Sequence, residues 1–215
     1  MHDTEERARS QLEIEYDVSR ETIEALGRYH LLLDKWSKQI NLVGPSTLKQ
    51  FWSRHVLDCA QLLPVAGPSV STIADFGSGA GLPGLILATI LKDRRSDSLI
   101  TLIDVSAKRC AFLREAARVL DVKVQIQHQK IQDVDIFPVD LVTARAFAPL
   151  EKLLGYSHPW AMQGARLVFP KGEDVQREID EASTNWSFQS KITLSVTDSR
   201  GCIIEILDLK RLEGT

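Results

Sequence analysis

The sequence predicts an α/β protein built on one mostly parallel, doubly wound sheet, and three observations predict it. Short β-type runs alternate with helical runs from Thr72 onward. A glycine-rich turn joins the first of these strands to the helix after it, and the chain ends in two strands with no helix between them. Alternation of this kind implies βαβ crossovers and a parallel sheet. A glycine turn at the carboxyl end of a strand is where such sheets bind ligands. Two strands joined by a short turn form a hairpin.

Two helical patterns precede the sheet. From about Ser19 to Ile40, apolar residues recur at Ile23, Leu26, Leu33, Trp36 and Ile40, with helical spacing. The stretch Asn41-Leu-Val-Gly-Pro45 breaks that helix. A second is predicted from an N-cap at Ser46 or Thr47, through Leu48, Phe51, Val56 and Cys59, to Leu63. Pro64–Pro68 reads as a linker, which divides the chain into an N-terminal helical extension (1–66) and a main domain (67–215). In that domain the predicted strands are Thr72–Phe76, Leu99–Val105, Val122–Gln127, Asp140–Ala144 and Ala165–Phe169. Helices are expected after Leu82, from Ser106 to Leu120, from about Pro149 and from about Asp174. Lys191–Val196 and Ile203–Leu209 form the hairpin, turning at Thr197-Asp-Ser-Arg-Gly201 and closing the sheet edge. Five parallel strands and a terminal hairpin make the seven-strand inventory of the methyltransferase version of this fold.

With 44% hydrophobic and 26% charged residues among 215, the composition is that of a globular domain able to bury its own core. No run approaches the roughly 20 apolar residues of a membrane span, and the acidic N-terminus is unlike a signal peptide. Cys59, Cys110 and Cys202 lie in unrelated segments without metal-ligand spacing. The expectation is a cytoplasmic protein with reduced thiols, no metal and no membrane contact, working as a monomer. A net charge of −3 excludes a general polyanion binder but hides a gradient. Residues 1–27 carry eight acids against three arginines, whereas 28–55 carry Arg28, Lys35, Lys38, Lys49 and Arg54 against Asp34 alone. That stretch is compatible with a nucleic-acid edge or with a solvated helix face.

The strongest motif is Asp75-Phe-Gly-Ser-Gly-Ala-Gly-Leu-Pro-Gly84. Glycines let the backbone turn tightly and let a ligand approach closely, and a nucleotide can sit against the helix start. Gly79-x-Gly81-x-x-Gly84 also fits the dinucleotide fingerprint. Asp104 ends the second strand twenty residues after Gly84, where a carboxylate accepts hydrogen bonds from ribose hydroxyls. Both features suit NAD and S-adenosylmethionine alike. Asp75, which can anchor the loop or the donor's methionine part, and the closing hairpin favour the methyl donor.

The sequence resembles the glucose-inhibited division protein B family, bacterial 16S ribosomal RNA guanine-N7 methyltransferases. The resemblance rests on Asn41-Leu-Val, Arg54-His55-Val-Leu-Asp58, the glycine loop in its Gly-Leu-Pro-Gly form, and Leu102-Ile-Asp104 with Lys108-Arg109 and Phe112-Leu113. Ala144-Arg-Ala-Phe147 and Lys171-Gly172 complete it. It implies a Rossmann-like class I S-adenosylmethionine-dependent fold. It also implies a donor site at Gly77, Leu82, Ile131-Gln132 and Arg145, to which the loop reading adds Asp75, Gly79 and Asp104. The implied partner is 16S rRNA or the small ribosomal subunit. Where the family often has Glu after the third strand, this chain has Gln132 followed by Asp133.

Guanine N7 already carries a lone pair, so positioning and electrostatics can do most of the work and no general base is assigned. The sequence lacks the Asp/Asn-Pro-Pro-aromatic tetrapeptide of amino-group methylation and the Pro-Cys pair of C5 methylation. Arg145 and Lys171, at the carboxyl edge of the sheet, are the candidates for a part in the chemistry, Arg145 by holding the donor's carboxylate or a phosphate. Lys35, Lys38, Arg54, His55, Phe147 and Lys171 are candidates for RNA contact, Phe147 by stacking on a base. Each has a plain alternative. Phe147 can be core, Lys171 a surface lysine, and Arg54 and Asp58 an ion pair four apart along a helix. The competing readings are a methyltransferase for another substrate, an NAD-dependent oxidoreductase lacking any recognisable proton-donor motif, and an RNA-binding relative without turnover.

Overall fold

The computed structural model of the chain describes residues 2–94 and 97–212. The outer ends of the two predicted ranges, 1 and 213–215, lie outside the described residues. The helical N-terminal part comprises α1 (His2–Glu15), α2 (Arg20–Ser37), α3 (Pro45–Leu48), a π-helix (Trp52–Leu57), α4 (Asp58–Ala60) and α5 (Leu62–Ala66). The alternating part follows as β1 (Thr72–Phe76), α6 (Gly84–Arg94), β2 (Leu99–Asp104), α7 (Ala107–Leu120) and β3 (Val124–His128). After a 3-10 turn (Ile131–Asp133) come β4 (Leu141–Thr143), α8 (Leu150–Ala161), β5 (Arg166–Lys171), α9 (Val175–Ala182), β6 (Trp186–Leu194) and β7 (Cys202–Arg211).

Seven strands form one sheet in the order β3-β2-β1-β4-β5-β7-β6. The first five pair in parallel, and β7 runs antiparallel to both β5 and β6. This is the predicted seven-stranded sheet with its terminal hairpin. Strand order reverses between β1 and β4, the switch point at whose carboxyl ends such sheets bind ligands. Each face carries its own core. On one face α2, α6 and α7 bury Leu26, Tyr29, Leu85, Ile86, Phe112 and Leu113 with the N-terminal Leu12 and Phe51. On the other, α8 and α9 bury Leu153, Leu154, Trp160 and Ala182 against Phe76, Ile103 and Phe169. β1 and β2 are buried along nearly their whole length, hence their unbroken apolar character.

Caps set several boundaries. Ser19 Oγ accepts from the Thr22 N–H and begins α2, while Ser106 Oγ accepts from the Arg109 N–H and begins α7. Asp121, at φ 52°, ends α7.

The N-terminal part departs from expectation in three ways. First, α1 is a helix the periodicity does not announce. Half of its residues are charged, and it buries Ala8 and Leu12 while Arg9 lies over the Trp52 ring at 4.9 Å. Second, the single helix expected to Leu63 is several short pieces. The first is capped by Gly44 with Pro45 at its start rather than by Ser46 or Thr47. Third, most of the expected linker is α5. Pro64 sits in its first turn, where no N–H is needed, and Gly67 at φ 92° ends it. At the other end β6 begins at Trp186, five residues before the predicted Lys191.

Candidate functional site

The glycine loop is held from every side. Asp75, fully buried at the end of β1, accepts the Gly84 N–H at 3.1 Å through Oδ2 and thereby fixes the start of α6. Its other oxygen, Oδ1, is buried without a partner. Burial pushes the Asp75 carboxyl up to about 7. Ser78 ties the loop to β2: its N–H donates to Ile103 O at 3.0 Å, and its hydroxyl accepts the Ile103 N–H at 3.2 Å. Asp104, 3% exposed, accepts the Gly79 N–H at 2.9 Å through Oδ2 and the Ser106 N–H at 2.8 Å through Oδ1. Beneath the loop, the buried Tyr29 hydroxyl of α2 donates to Ala80 O at 2.5 Å.

Two of the loop's glycines shape the ligand side. Gly77 has φ +66°, and a Cβ on it would lie 2.2 Å from Phe147 Cδ2. The Phe147 ring therefore rests directly on the loop. Gly79 has φ +55°, but a Cβ there would meet only the Gly77 carbonyl oxygen within 4 Å, at 3.6 Å. Space lies open above it.

Beside the loop, past Phe147, a cavity of about 700 Å³ opens over the carboxyl ends of β4 and β5. Arg54, Asp58, Arg145, Phe147, Lys171 and Asp198 are among its lining residues. Arg145 leaves β4 and reaches into the π-helix region. Its guanidinium contacts Asp58 Oδ2 at 3.3 Å, Arg54 O at 2.9 Å, Cys59 Sγ at 3.6 Å and His55 Nδ1 at 3.4 Å. Ala146 then adopts φ 52°, a left-handed conformation costly for a residue with a Cβ. The kink turns Phe147 back over Gly77. Lys171, 8% exposed, pairs with Glu178 at 2.6 Å and donates to Ala148 O at 3.1 Å. Glu178 also accepts the Leu150 N–H at the start of α8.

Residues 22–205 match the family GidB, rRNA small subunit methyltransferase G. The chain belongs to the GidB family. Proteins named Ribosomal RNA small subunit methyltransferase G are similar to it over most of both chains. That of Caulobacter vibrioides is 45% identical over 88% of this chain and 87% of its own length. That of Methylorubrum populi is 42% identical over 95% and 97%. Among solved structures, a SAM dependent methyltransferase from Aquifex aeolicus aligns over 80% of this chain and 97% of its own, with TM-score 0.57 and 17% identity. That likeness establishes the fold, a Rossmann-like class I methyltransferase sheet.

In this GidB chain the predicted residues fall into two groups along one sheet edge. Asp75 lies at the end of β1, Gly77, Gly79 and Leu82 in the loop after it, and Asp104 ends β2. The 3-10 turn Ile131–Asp133 follows β3, which pairs with β2 up to His128 opposite Asp104. Ile131 is buried in the core beside Ile103, and Gln132 is exposed. Arg145, Phe147, Lys171 and Arg54 form the second group, around the cavity. Lys35 and Lys38 are not among its lining residues. They are exposed at the last turn of α2, with Lys38 paired to Asp34 at 2.6 Å.

His55 is 3% exposed, with Nε2 3.1 Å from Thr47 Oγ1. Burial first, then the nearby Arg145 and Arg54, lower it to about 3, so it is neutral. The pair anticipated along the helix, Arg54 with Asp58, does not form. The π-helical turn is wider than an α-turn. Arg54 instead pairs with Asp198 in the hairpin turn at 2.5 Å, and Asp58 pairs with Arg145. Tyr29, Ala146, Gln61, Thr197 and Asp198 belong to the site without any local signal in the sequence. A polar residue in a hairpin turn reads as turn chemistry, and only the fold shows what it meets.

Proposed function

We propose that the chain transfers a methyl group from S-adenosylmethionine to N7 of a guanine in 16S ribosomal RNA. The observation that carries this is the place of Phe147, which rests on Gly77 of the glycine loop and also lines the neighbouring cavity. A flat base stacked on that ring would stand next to whatever the loop holds. The residues fit the donor. Asp104 accepts one backbone N–H on each oxygen and faces the Arg109 guanidinium at 3.7 Å, its carboxylate keeping acceptor capacity for ribose hydroxyls, and the space above Gly79 is open. The donor supplies an electrophilic methyl; the protein supplies position. Every charged side chain lining the cavity lies within 4.0 Å of an opposite charge, from Arg54–Asp198 to Arg200–Glu173. His55 is neutral with both ring nitrogens engaged. Such a cavity offers no poised base, which suits a nucleophile that needs none. Arg145 and Lys171 brace the loops that shape it. Action as a monomer in the cytoplasm belongs to the same proposal.

Calorimetry with S-adenosylhomocysteine and NAD side by side tests the donor assignment. The homocysteine product should bind and NAD should not. Asp104→Ala should weaken binding by about 1–3 kcal/mol, because two ribose hydroxyls lose their acceptor. NAD binding without S-adenosylhomocysteine binding would overturn the reading.

A further inference from the structure

We propose that Asp58 is a positioning residue for this reaction, fixing the Arg145-Ala146-Phe147 turn through which Phe147 reaches the glycine loop. The inference rests on the methyltransfer reading above.

Asp58 stands at the junction of three elements. One oxygen faces the Arg145 guanidinium at 3.3 Å. The other accepts from the Thr197 hydroxyl at 2.6 Å and from Gln61 Nε2 at 2.9 Å. Gln61 in turn accepts the Val196 N–H at 3.0 Å and donates to Ser195 Oγ at 3.0 Å, so the hairpin turn is locked to the same carboxylate. The Arg145 end is therefore pinned, with its side chain and that of Asp58 only about one-fifth exposed. From that pin the chain passes through left-handed Ala146 and delivers Phe147 onto Gly77. A left-handed alanine persists only where its surroundings over-determine it. Here the determinants are the anchorage of Arg145, to which Asp58 contributes the negative charge beside the Arg54 carbonyl, on one side and the Phe147–Gly77 contact on the other. Removing the Asp58 charge loosens that anchorage, leaving the hydrogen bond to Arg54 O, and lets residue 146 relax and the ring shift on the loop. Asp58 itself touches neither the glycine loop nor Phe147 by any recorded hydrogen bond or ion pair, so its effect must travel through Arg145.

Asp58→Asn isolates this role. The amide oxygen can still accept from Thr197 and Gln61, while the amide nitrogen turned to Arg145 offers it no acceptor. With rRNA as substrate, the turnover rate should fall about tenfold or more, since small displacements of positioning groups cost that much. Affinity for S-adenosylhomocysteine should change by less than about threefold, and thermal unfolding should stay cooperative. Combined with Phe147→Ala, the loss should be no greater than with Phe147→Ala alone, because both act on one ring. Backbone hydrogen exchange over 144–149 should quicken in Asp58→Asn, a readout independent of turnover. Unchanged turnover, unchanged exchange, or losses that multiply in the double variant would each overturn the proposal. If Asp58→Asn fails to fold, Thr197→Val, which frees the same carboxylate from the hairpin side, must show the same exchange change and the same non-additivity. If the unaltered protein methylates no rRNA yet exchange over 144–149 still quickens in Asp58→Asn, the methyltransfer reading fails and the structural pin stands.

Discussion

At Gly77 two requirements meet in one residue: a left-handed backbone and room for an aromatic ring. A Cβ there would lie 2.2 Å from Phe147, so Gly77→Ala must both strain the loop and expel the ring. We expect a loss of about 1–3 kcal/mol in stability, read by urea unfolding, with a parallel loss of S-adenosylhomocysteine affinity. Unchanged affinity would remove Gly77 from the donor site. Asp75 and His55 make a second prediction, on pH. Burial raises the Asp75 carboxyl from 3.8 to about 7. Its stabilising contribution is complete below about pH 4 and is lost as pH rises through 7. His55 is lowered from 6.5 to about 3, so its contribution is complete above pH 6.5 and is lost as pH falls towards 3. The two slopes oppose each other between roughly pH 4 and 6.5. Relative to the unaltered protein, Asp75→Asn should gain stability as pH rises through that window, and His55→Gln should gain as pH falls. Denaturant midpoints that keep a constant offset from the unaltered protein across this range would contradict both assignments. The loop anchoring by Asp75 and the glycine at 79 were readable from their spacing, because a strand–glycine–helix turn needs particular residues at fixed positions, whereas the hold of Asp104 on the Gly79 N–H was not. The neutrality of His55 was not, since it depends on burial of the ring in the folded chain, with Arg145 and Arg54 beside it.

Among the elements, the strands and the helices between them are written locally in the sequence. Each is a run with a period of its own, and caps such as Ser19 and Ser106 mark where helices begin. The π-helix is not. Trp52–Leu57 has the same apolar spacing an α-helix would have, and what stabilises the wider turn comes from α1. Glu5 accepts the Trp52 N–H at 2.8 Å, the Ser53 N–H at 3.2 Å and the Ser53 hydroxyl at 2.5 Å. Those contacts span 47 and 48 residues of chain, beyond any local pattern. They also explain why an N-terminal segment with half its residues charged is helical: it is held by what it caps. Glu5→Ala should cost about 1–3 kcal/mol, the penalty for leaving two part-buried N–H groups without an acceptor. Glu5→Gln should recover part of it. If thermal unfolding shows Glu5→Ala indistinguishable from the unaltered protein, the π-helix stands without α1.

Across the whole molecule, the donor loop and the cavity share one sheet edge, bridged by Phe147, with the N-terminal helices and the terminal hairpin meeting over Arg145. The sequence pointed to this edge through its strand order and glycine loop, but the basic stretch 28–55 did not resolve into one surface. Arg54 enters the cavity, whereas Lys35 and Lys38 project from α2 into solvent. If about three of these cations contact phosphates, binding to RNA should fall with salt at a log–log slope near −2. Replacing Lys35, Lys38 and Arg54 together with alanine should flatten that slope, leaving S-adenosylhomocysteine affinity nearly unchanged. A triple variant with the parent's slope would confine RNA contact to the cavity around Arg145 and Phe147. Methyl transfer to guanine N7 is tested by the position of the transferred methyl group. Small ribosomal subunits, or 16S rRNA extracted from cells that lack this modification, would be incubated with the protein and isotopically labelled S-adenosylmethionine, then digested for nucleoside mass spectrometry. Label is expected on N7 of a single guanine. Label on an exocyclic amine or on a pyrimidine C5, or no label in the RNA despite binding of S-adenosylhomocysteine, would contradict it.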